Sequence, residues 1–111
     1  MAKLSIVKFK GASGRQYTFD VFPIDTIWND GIGAVYFVTH RSKGNDGKHY
    51  HQNIYVGRTS DLKSRHQNHH RKQCFDQHEA NTLCILRESS ERSRLAIERD
   101  LIEGCSPLCN R

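Results

Sequence analysis

Residues 34–57 read AVYFVTHRSKGNDGKHYHQNIYVG, and the fold of the chain can be built outward from them. Residues 34–40 and 51–57 are rich in Val, Ile, Tyr and Phe, which predicts two strands. The segment between them, residues 41–50, is polar, contains glycine and is too long for a tight turn. We therefore expect two neighbouring strands joined by an exposed loop.

Further elements are predicted on both sides of this strand pair. Residues 3–10 and 15–22 flank a glycine-containing turn at 11–14, which predicts an N-terminal hairpin. After residue 57 the chain becomes polar and unbranched, which favours a helix over residues 61–72. The remaining predicted elements are a strand over 82–86 and a second helix from Ser89 or Ser90 to about residue 103, ended by Gly104 and Pro107.

Length and charge limit the class of protein. The chain has 111 residues, enough for one small domain (1–111), and its apolar stretches are far shorter than the roughly 20 residues of a membrane-spanning helix. Its first residues lack the apolar block and cleavage site of a secretory signal, so we expect an intracellular, cytoplasmic protein. A formal charge of +5 is compatible with nucleic acid as a partner, although charge alone specifies no chemistry. In a reducing compartment the four cysteines, at 74, 84, 105 and 109, are expected to stay thiols.

The second predicted helix carries a carboxylate among apolar residues. On a helical wheel of about 100° per residue, Glu98 falls on the same arc as Leu95 and Leu101. A carboxylate on the core side is costly unless it is paired or bound to a cation. Two explanations stay open, a structural ion pair such as one with Arg94, or a metal-ligating or catalytic acid. Three charged residues lie on the other side of the wheel and are expected to face water: Arg99, Asp100 and Glu103.

The first predicted helix has the opposite composition. Leu62 is its only clearly apolar residue, and Arg65 and His69, spaced i and i+4, lie on the same face. The helix is either a solvated surface helix or the wall of a site that needs cations and hydrogen-bond donors.

Taken in chain order, these motifs resemble those of the GIY-YIG nuclease superfamily: Ala34-Val35-Tyr36, Tyr55-Val56-Gly57, Asp61-Leu62-x-x-Arg65-x-x-x-His69, Ile97-Glu98-Arg99 and Pro107-x-x-Asn110. The resemblance covers about residues 34–110. It implies an α+β fold in which a short mixed β-sheet carries both tyrosines and is flanked by helices, with residues 1–30 as an N-terminal β-hairpin extension. Ala34 stands where the family has glycine, and valines replace both isoleucines.

The resemblance also implies a function, that of a divalent-metal-dependent endonuclease. Such an enzyme hydrolyses nucleic-acid phosphodiester bonds, of DNA rather than RNA, with one metal ion and low intrinsic sequence specificity. Glu98 would bind Mg²⁺ or Mn²⁺, Arg65 would contact the scissile phosphate, and Tyr36 would be the general base. Tyr55 would orient the attacking water or the phosphate. His69 would hydrogen-bond Tyr36 or relay its proton.

The last implied site residue, Asn110, would support the geometry on the metal side. Four basic residues would form a rim that positions nucleic acid without reading bases: Arg58, Lys63, Arg71 and Lys72. The N-terminal hairpin is a candidate surface for a protein partner or a second copy of the chain.

Three other interpretations stay open. The scaffold can serve as a catalytically inactive nucleic-acid-binding module. A structural zinc site would use some of Cys74, Cys84, Cys105, Cys109, His49 and His51, although only Cys105-x₃-Cys109 has suitable spacing. A disulfide-dependent extracellular nuclease or toxin would require export, against which the missing signal argues.

Overall fold

Five strands and three helices make up most of the chain in the computed structural model, which describes residues 3–67 and 69–110. The strands are β1 (Ser5–Lys10), β2 (Gln16–Pro23), β3 (Ala34–Lys43), β4 (His49–Thr59) and β5 (Thr82–Arg87). The helices are α1 (Leu62–Gln67), α2 (Lys72–Gln77) and α3 (Glu91–Cys105), followed by a 3₁₀ turn (Leu108–Asn110). The α+β class is confirmed, and none of these helices is long and apolar enough to cross a membrane. Four residues within the predicted ranges lie outside the described part: Met1, Ala2, Asn68 and Arg111.

Neighbouring strands of the described sheet are all antiparallel, in the order β1-β2-β5-β3-β4. β4 and β5 run in the same direction, because α1 and α2 carry the chain back along the sheet. β3 lies between these two strands, so they do not pair with each other. The expectation of a mixed sheet is therefore wrong. The N-terminal hairpin extends the same sheet, since β2 pairs with β5 from Asp20 and Ile85 to Pro23 and Thr82.

Both faces of β3 are covered by helices. Val38 packs with Leu62 of α1 on one face, whereas Phe37 packs with Leu101 of α3 on the other. All four side chains are at most 1% exposed. This two-sided burial explains why β3 is apolar at successive positions instead of alternating with polar residues.

The segment predicted as a long loop, residues 41–50, is a β-ribbon instead. β3 and β4 keep pairing as far as Lys43 and His49, and the turn is closed by the N–H of Gly44, which donates to the carbonyl of Lys48 at 2.8 Å. Gly47 has φ +81°, a left-handed conformation that glycine adopts without strain. This two-stranded part, residues 40–51, is called the basic ribbon below because it carries His40, Arg41, Lys43, Lys48, His49 and His51.

The predicted helix over residues 61–72 is interrupted. Leu62 anchors α1 as expected, with 1% of its surface exposed, but α1 ends at Gln67 and α2 begins at Lys72. In the turn before α2, the backbone N–H of Arg71 donates to Nδ1 of His69 at 3.0 Å, a side-chain bond that competes with helix continuation. The prediction that His69 shares a helix face with Arg65 is therefore wrong.

α3 is capped at both ends. The hydroxyl of Ser90 accepts a hydrogen bond from the N–H of Ser93 at 3.3 Å, which confirms the predicted N-cap. The helix continues through Gly104 and ends at Cys105, because Ser106 takes the left-handed C-cap conformation at φ 45°. The prediction that Gly104 ends the helix is therefore wrong by one residue.

The turn of the N-terminal hairpin docks on α3. The carboxylate of Asp100 accepts from the backbone N–H and the hydroxyl of Ser13, at 2.8 and 2.7 Å, and from the hydroxyl of Tyr17 at 2.8 Å. A Cβ at Gly104 would lie 2.4 Å from the backbone nitrogen of Ala12, so the close approach requires glycine. Asp100 still borders solvent, as expected, but it also holds this turn, a contact that a helical wheel cannot reveal.

Cys74 of α2 and Cys109 of the 3₁₀ turn form a disulfide. The expectation that all four cysteines are thiols is thus wrong for this pair. Packing of the C-terminal turn against α2 brings the two Cα atoms to 6.1 Å, within the usual range for a bridge. Cys84 is free, and burial raises the pKa of its thiol to about 12, which makes it inert at neutral pH.

Candidate active site

The two motif tyrosines lie on the same face of the β3–β4 pair. Tyr36 is opposite Gly57 in the register, and Val38 is opposite Tyr55, so both rings point to the side covered by α1 and α2. Their ring centroids are 6.1 Å apart. A Cβ at Gly57 would lie 2.4 Å from Oη of Tyr36 and 2.8 Å from the ring of Tyr55. Glycine at this position is therefore what lets the two rings share one face.

His69 holds the hydroxyl of Tyr36. Its Nε2 lies 2.6 Å from Oη of Tyr36, while its Nδ1 accepts from the backbone N–H of Arg71. A neutral imidazole carries one proton, and Nδ1 is occupied as an acceptor, so the proton resides on Nε2. His69 consequently donates to Tyr36, and the hydroxyl proton of Tyr36 is directed elsewhere. In this state His69 stabilises negative charge on Tyr36 instead of taking its proton.

The surroundings keep both partners uncharged in the resting protein. Burial, followed by the positive neighbours His70 and Arg65, lowers the pKa of His69 to about 4. Burial, followed by the nearby Tyr55, raises the pKa of Tyr36 far above its usual range, and the guanidinium of Arg65 opposes that rise. Burial also raises the pKa of Tyr55, and the negative charge of Glu98 acts in the same direction.

A polar cleft of about 400 Å³ opens beside this group at the end of β4. Arg65 lines both this cleft and the smaller cavity that contains Tyr36 and His69, so it connects the two. Tyr55 also lines the cleft, whereas Tyr36 is 2% exposed and does not. The full lining is Tyr55, Arg58, Thr59, Ser60, Arg65, Glu91, Arg94 and Glu98.

Glu98 enters the cleft from α3. Its side chain is 13% exposed, and its Oε1 accepts from Nη1 of Arg58 at 2.6 Å. The proposed structural pairing with Arg94 does not occur, because Nη1 of Arg94 donates to the carbonyl of Glu88 at 2.7 Å. The partner of Glu98 comes from β4, 40 positions away in sequence.

Arg94 is a site residue that the sequence analysis did not recognise as one. It is 6% exposed, lines the cleft, and sits against Gly33, where a Cβ would lie 2.6 Å from its Nη1. The same helical wheel places Arg94 near 260°, between Leu101 and Glu98, so the signal was present. Its buried guanidinium adds a third positive charge to the cleft, beside those of Arg58 and Arg65.

Asn110 is bound to the backbone of the edge strand β4. Its Oδ1 accepts from the N–H of Val56 at 2.8 Å, and its Nδ2 donates to the carbonyl of the same residue at 3.0 Å. Val56 lies between Tyr55 and Gly57, so this contact positions the second tyrosine motif. Both ends of the amide are used for that purpose, which makes Asn110 a positioning residue in this structure.

The four predicted rim residues differ in their surroundings. Arg58 is paired with Glu98, and the ammonium groups of Lys63 and Lys72 lie 3.5 and 3.2 Å from the carboxylates of Asp30 and Asp76. The two lysine pairs are exposed, and such pairs contribute little to stability, so both lysines remain available to phosphate. Arg71 is exposed.

The cleft holds two carboxylates that could ligate a divalent cation, together with the guanidinium groups of Arg58, Arg65 and Arg94. Mg²⁺ typically keeps several waters and takes one or two protein carboxylates, and the cleft offers Glu98 and Glu91. Its volume accommodates a hydrated ion together with a phosphate. Arg58 occupies Oε1 of Glu98, so an ion there competes with this guanidinium or uses the second oxygen. No family model, curated protein or solved structure matches the chain, and the function must be inferred from the residues and geometry described above.

Proposed function

We propose that the protein is a divalent-metal-dependent endonuclease of the GIY-YIG type that hydrolyses nucleic-acid phosphodiester bonds, with DNA as the substrate. The observation that carries this proposal is the convergence of Tyr55, Arg65 and Glu98 on one polar cleft, with the Tyr36–His69 pair beside it. These residues come from β3, β4, α1, α3 and the turn before α2, so no local motif places them together.

Each side chain has a chemical part in this proposal. Glu98 holds Mg²⁺ or Mn²⁺, which when bound neutralises charge on the phosphoryl oxygens and stabilises the leaving oxygen. Arg65 presents a planar fork of donors to the scissile phosphate. Tyr36 acts as the base in its phenolate form, which the N–H of His69 and the charge of Arg65 stabilise. Tyr55, at the cleft wall, orients the attacking water.

The charge distribution supports nucleic acid as the substrate class. The chain has a formal charge of +5, and the basic ribbon adds a two-stranded arm, a kind of element that the major groove of a duplex admits. Contacts of this kind to phosphates position a duplex without reading its sequence. Binding should therefore weaken steeply as salt is raised.

The proposal is tested by cleavage of supercoiled plasmid, branched duplex and RNA with Mg²⁺ or Mn²⁺. We expect the wild type to cut DNA, EDTA to stop the reaction, and Glu98→Gln and Arg65→Ala to lower the rate by at least about a hundredfold. The matched control is Glu103→Gln, a carboxylate on the same helix that is exposed and outside the cleft. Folded wild type that cuts no substrate with either metal overturns the catalytic proposal.

A second candidate, a nucleic-acid-binding module without cleavage, is favoured by one specific contact. The guanidinium of Arg58 already neutralises the carboxylate of Glu98 at 2.6 Å. If this pair is permanent, it replaces the metal. Calorimetric titration with Mn²⁺ separates the two candidates. A nuclease requires Mn²⁺ binding that Glu98→Gln removes and Arg58→Ala strengthens. A binding module shows no Mn²⁺ binding that depends on Glu98, and it still retards DNA in a gel.

A further inference from the structure

Three potential metal ligands meet where α2 and the C-terminal 3₁₀ turn come together. The ring nitrogen of His78 and the sulfurs of Cys74 and Cys109 all lie within 4.8 Å of one another. Cys74 and His78 are spaced i and i+4 at the end of α2, which places them on one face of that helix. Cys109 comes from the 3₁₀ turn, 35 positions after Cys74.

The chemical character of this cluster is that of a soft metal site. Two sulfurs and one imidazole are typical ligands of Zn²⁺, and neither Glu98 nor any other carboxylate belongs to the group. Cys109 is 2% exposed, and Cys74 and His78 are partly buried, so the sulfurs are shielded from bulk solvent. Within residues 3–67 and 69–110, the ring of His78 makes no hydrogen bond. The partly buried imidazole of His78 therefore has a ring nitrogen available to bind a metal ion beside the two sulfurs.

We propose that Cys74, His78 and Cys109 form a Zn²⁺ site that is available when the cysteines are reduced and closed when they are joined as the disulfide. In the reduced form two thiolates and one imidazole hold the ion, with water as the fourth ligand of a tetrahedral shell. The two states are alternatives, since a disulfide sulfur has no thiolate charge to offer a metal.

The interconversion balances with a dithiol as the reductant. The dithiol gives two electrons and two protons to the Cys74–Cys109 bond, which becomes two thiols while the dithiol becomes its own disulfide. Binding of Zn²⁺ then releases the two thiol protons to solvent. In the reverse direction a small-molecule disulfide takes two electrons from the two zinc-bound thiolates and two protons from solvent and becomes a dithiol, so that the Cys74–Cys109 bond forms again and the ion is released.

Either state ties the C-terminal turn to α2. Asn110, next to Cys109, holds the backbone of Val56 in β4, and α2 contributes Phe75 to the packing around Tyr55. The cluster therefore fastens two segments that support the second tyrosine motif. Zn²⁺ binding supplies in the reduced protein the cross-link that the disulfide supplies in the oxidised one.

The experiment uses the full chain, reduced without oxygen and titrated with Co²⁺, then with Zn²⁺. We expect a thiolate-to-cobalt charge-transfer band that saturates at about one ion per chain and is displaced by Zn²⁺. Oxidation to the disulfide, verified by thiol counting, should abolish the band. A cation held at Glu98 has no sulfur ligand and gives no such band, so failure of the nuclease proposal and failure of this one are distinguishable.

Variants identify the ligands. His78→Ala leaves the disulfide intact, so its fold can be checked by circular dichroism in the oxidised state, and it should weaken Zn²⁺ binding at least about tenfold. Cys105→Ser, a free cysteine outside the cluster, is the matched control and should bind as the wild type does. The proposal is overturned if reduced wild type gives no charge-transfer band, if folded His78→Ala binds as tightly as the wild type, or if Cys105→Ser loses the metal.

Discussion

The ring of Tyr36 lies across the bare backbone of Gly57, where a Cβ would approach its Oη to 2.4 Å. Gly57→Ala should therefore displace Tyr36 from His69 and destabilise the fold by about 1–3 kcal/mol, the usual cost of overpacking a core. Cleavage should fall by more than the loss of folded protein explains. Urea denaturation and cleavage rates on the same preparations measure both effects.

The control for this substitution is Gly14→Ala in the turn of the N-terminal hairpin. There the added methyl group meets open space, but the φ of +90° is strained for alanine and costs about 1–2 kcal/mol. Similar destabilisation with unchanged cleavage by folded protein would isolate the contact with Tyr36. Equal activity losses in both variants would contradict the interpretation.

His69 makes stability depend on pH in the acidic range. Its pKa falls from 6.5 to about 4 on folding, so between these values the unfolded chain binds a proton that the folded protein does not. Acidification through this window therefore favours unfolding. The urea midpoint of the wild type should drop between about pH 6.5 and pH 4 more than that of His69→Gln, which keeps a donor for Tyr36 but cannot titrate. If the urea midpoints of the two proteins changed in parallel with pH, the pKa of His69 would not be lowered by folding.

Cleavage should accelerate with pH if Tyr36 is the base. Its raised pKa means that the phenolate is a small fraction at neutral pH and grows about tenfold per pH unit. We expect the logarithm of the single-turnover rate to rise with a slope near one between about pH 7 and pH 9. Tyr36→Phe should lose the slope together with about a hundredfold or more of the rate, whereas Tyr55→Phe should keep the slope at a lower rate. A flat profile for the wild type would remove Tyr36 from this role.

Asp100 should control the order of the N-terminal hairpin. Asp100→Ala removes the acceptor for the N–H and hydroxyl of Ser13 and for the hydroxyl of Tyr17. We expect faster amide hydrogen exchange at residues 11–17, with β3 and β4 unchanged, because the remaining sheet pairing does not depend on the turn. Glu103→Ala, an exposed carboxylate of the same helix, serves as the comparison, and an identical exchange pattern in both variants would contradict the docking role.

The strands and the helical wheel of α3 show what local sequence patterns can predict and what they cannot. Runs of β-branched and aromatic residues located the cores of β3, β4 and β5, and the wheel correctly placed Glu98 on the core side, where its side chain is largely shielded from solvent. The same wheel gave no sign that Asp100 holds a turn 87 positions away in sequence. It also suggested Arg94 as the partner of Glu98, where the sheet supplies Arg58.

The segment around His69 shows where local pattern misleads. Residues 61–72 have helical composition, yet the bond from Arg71 to the ring of His69 belongs to a turn that the packing of α2 stabilises. His69 still contacts the hydroxyl of Tyr36, but it does so from this turn and not from the helix that carries Arg65. Its tautomer, and hence its role as a donor, follows from that turn.

Local sequence was sufficient for the α+β class, the strand positions outside residues 41–50 and the chemical type of the candidate site residues, because periodicity and side-chain chemistry are properties of neighbours along the chain. Tertiary packing alone settled the antiparallel order of the sheet, the pairing of Glu98 with Arg58, the use of Asn110 on β4 and the meeting of Cys74, His78 and Cys109. The side-chain contacts join positions that are 31 to 54 residues apart in sequence, and the sheet order depends on which strand lies between two others. Contacts over such separations leave no periodic pattern in the sequence.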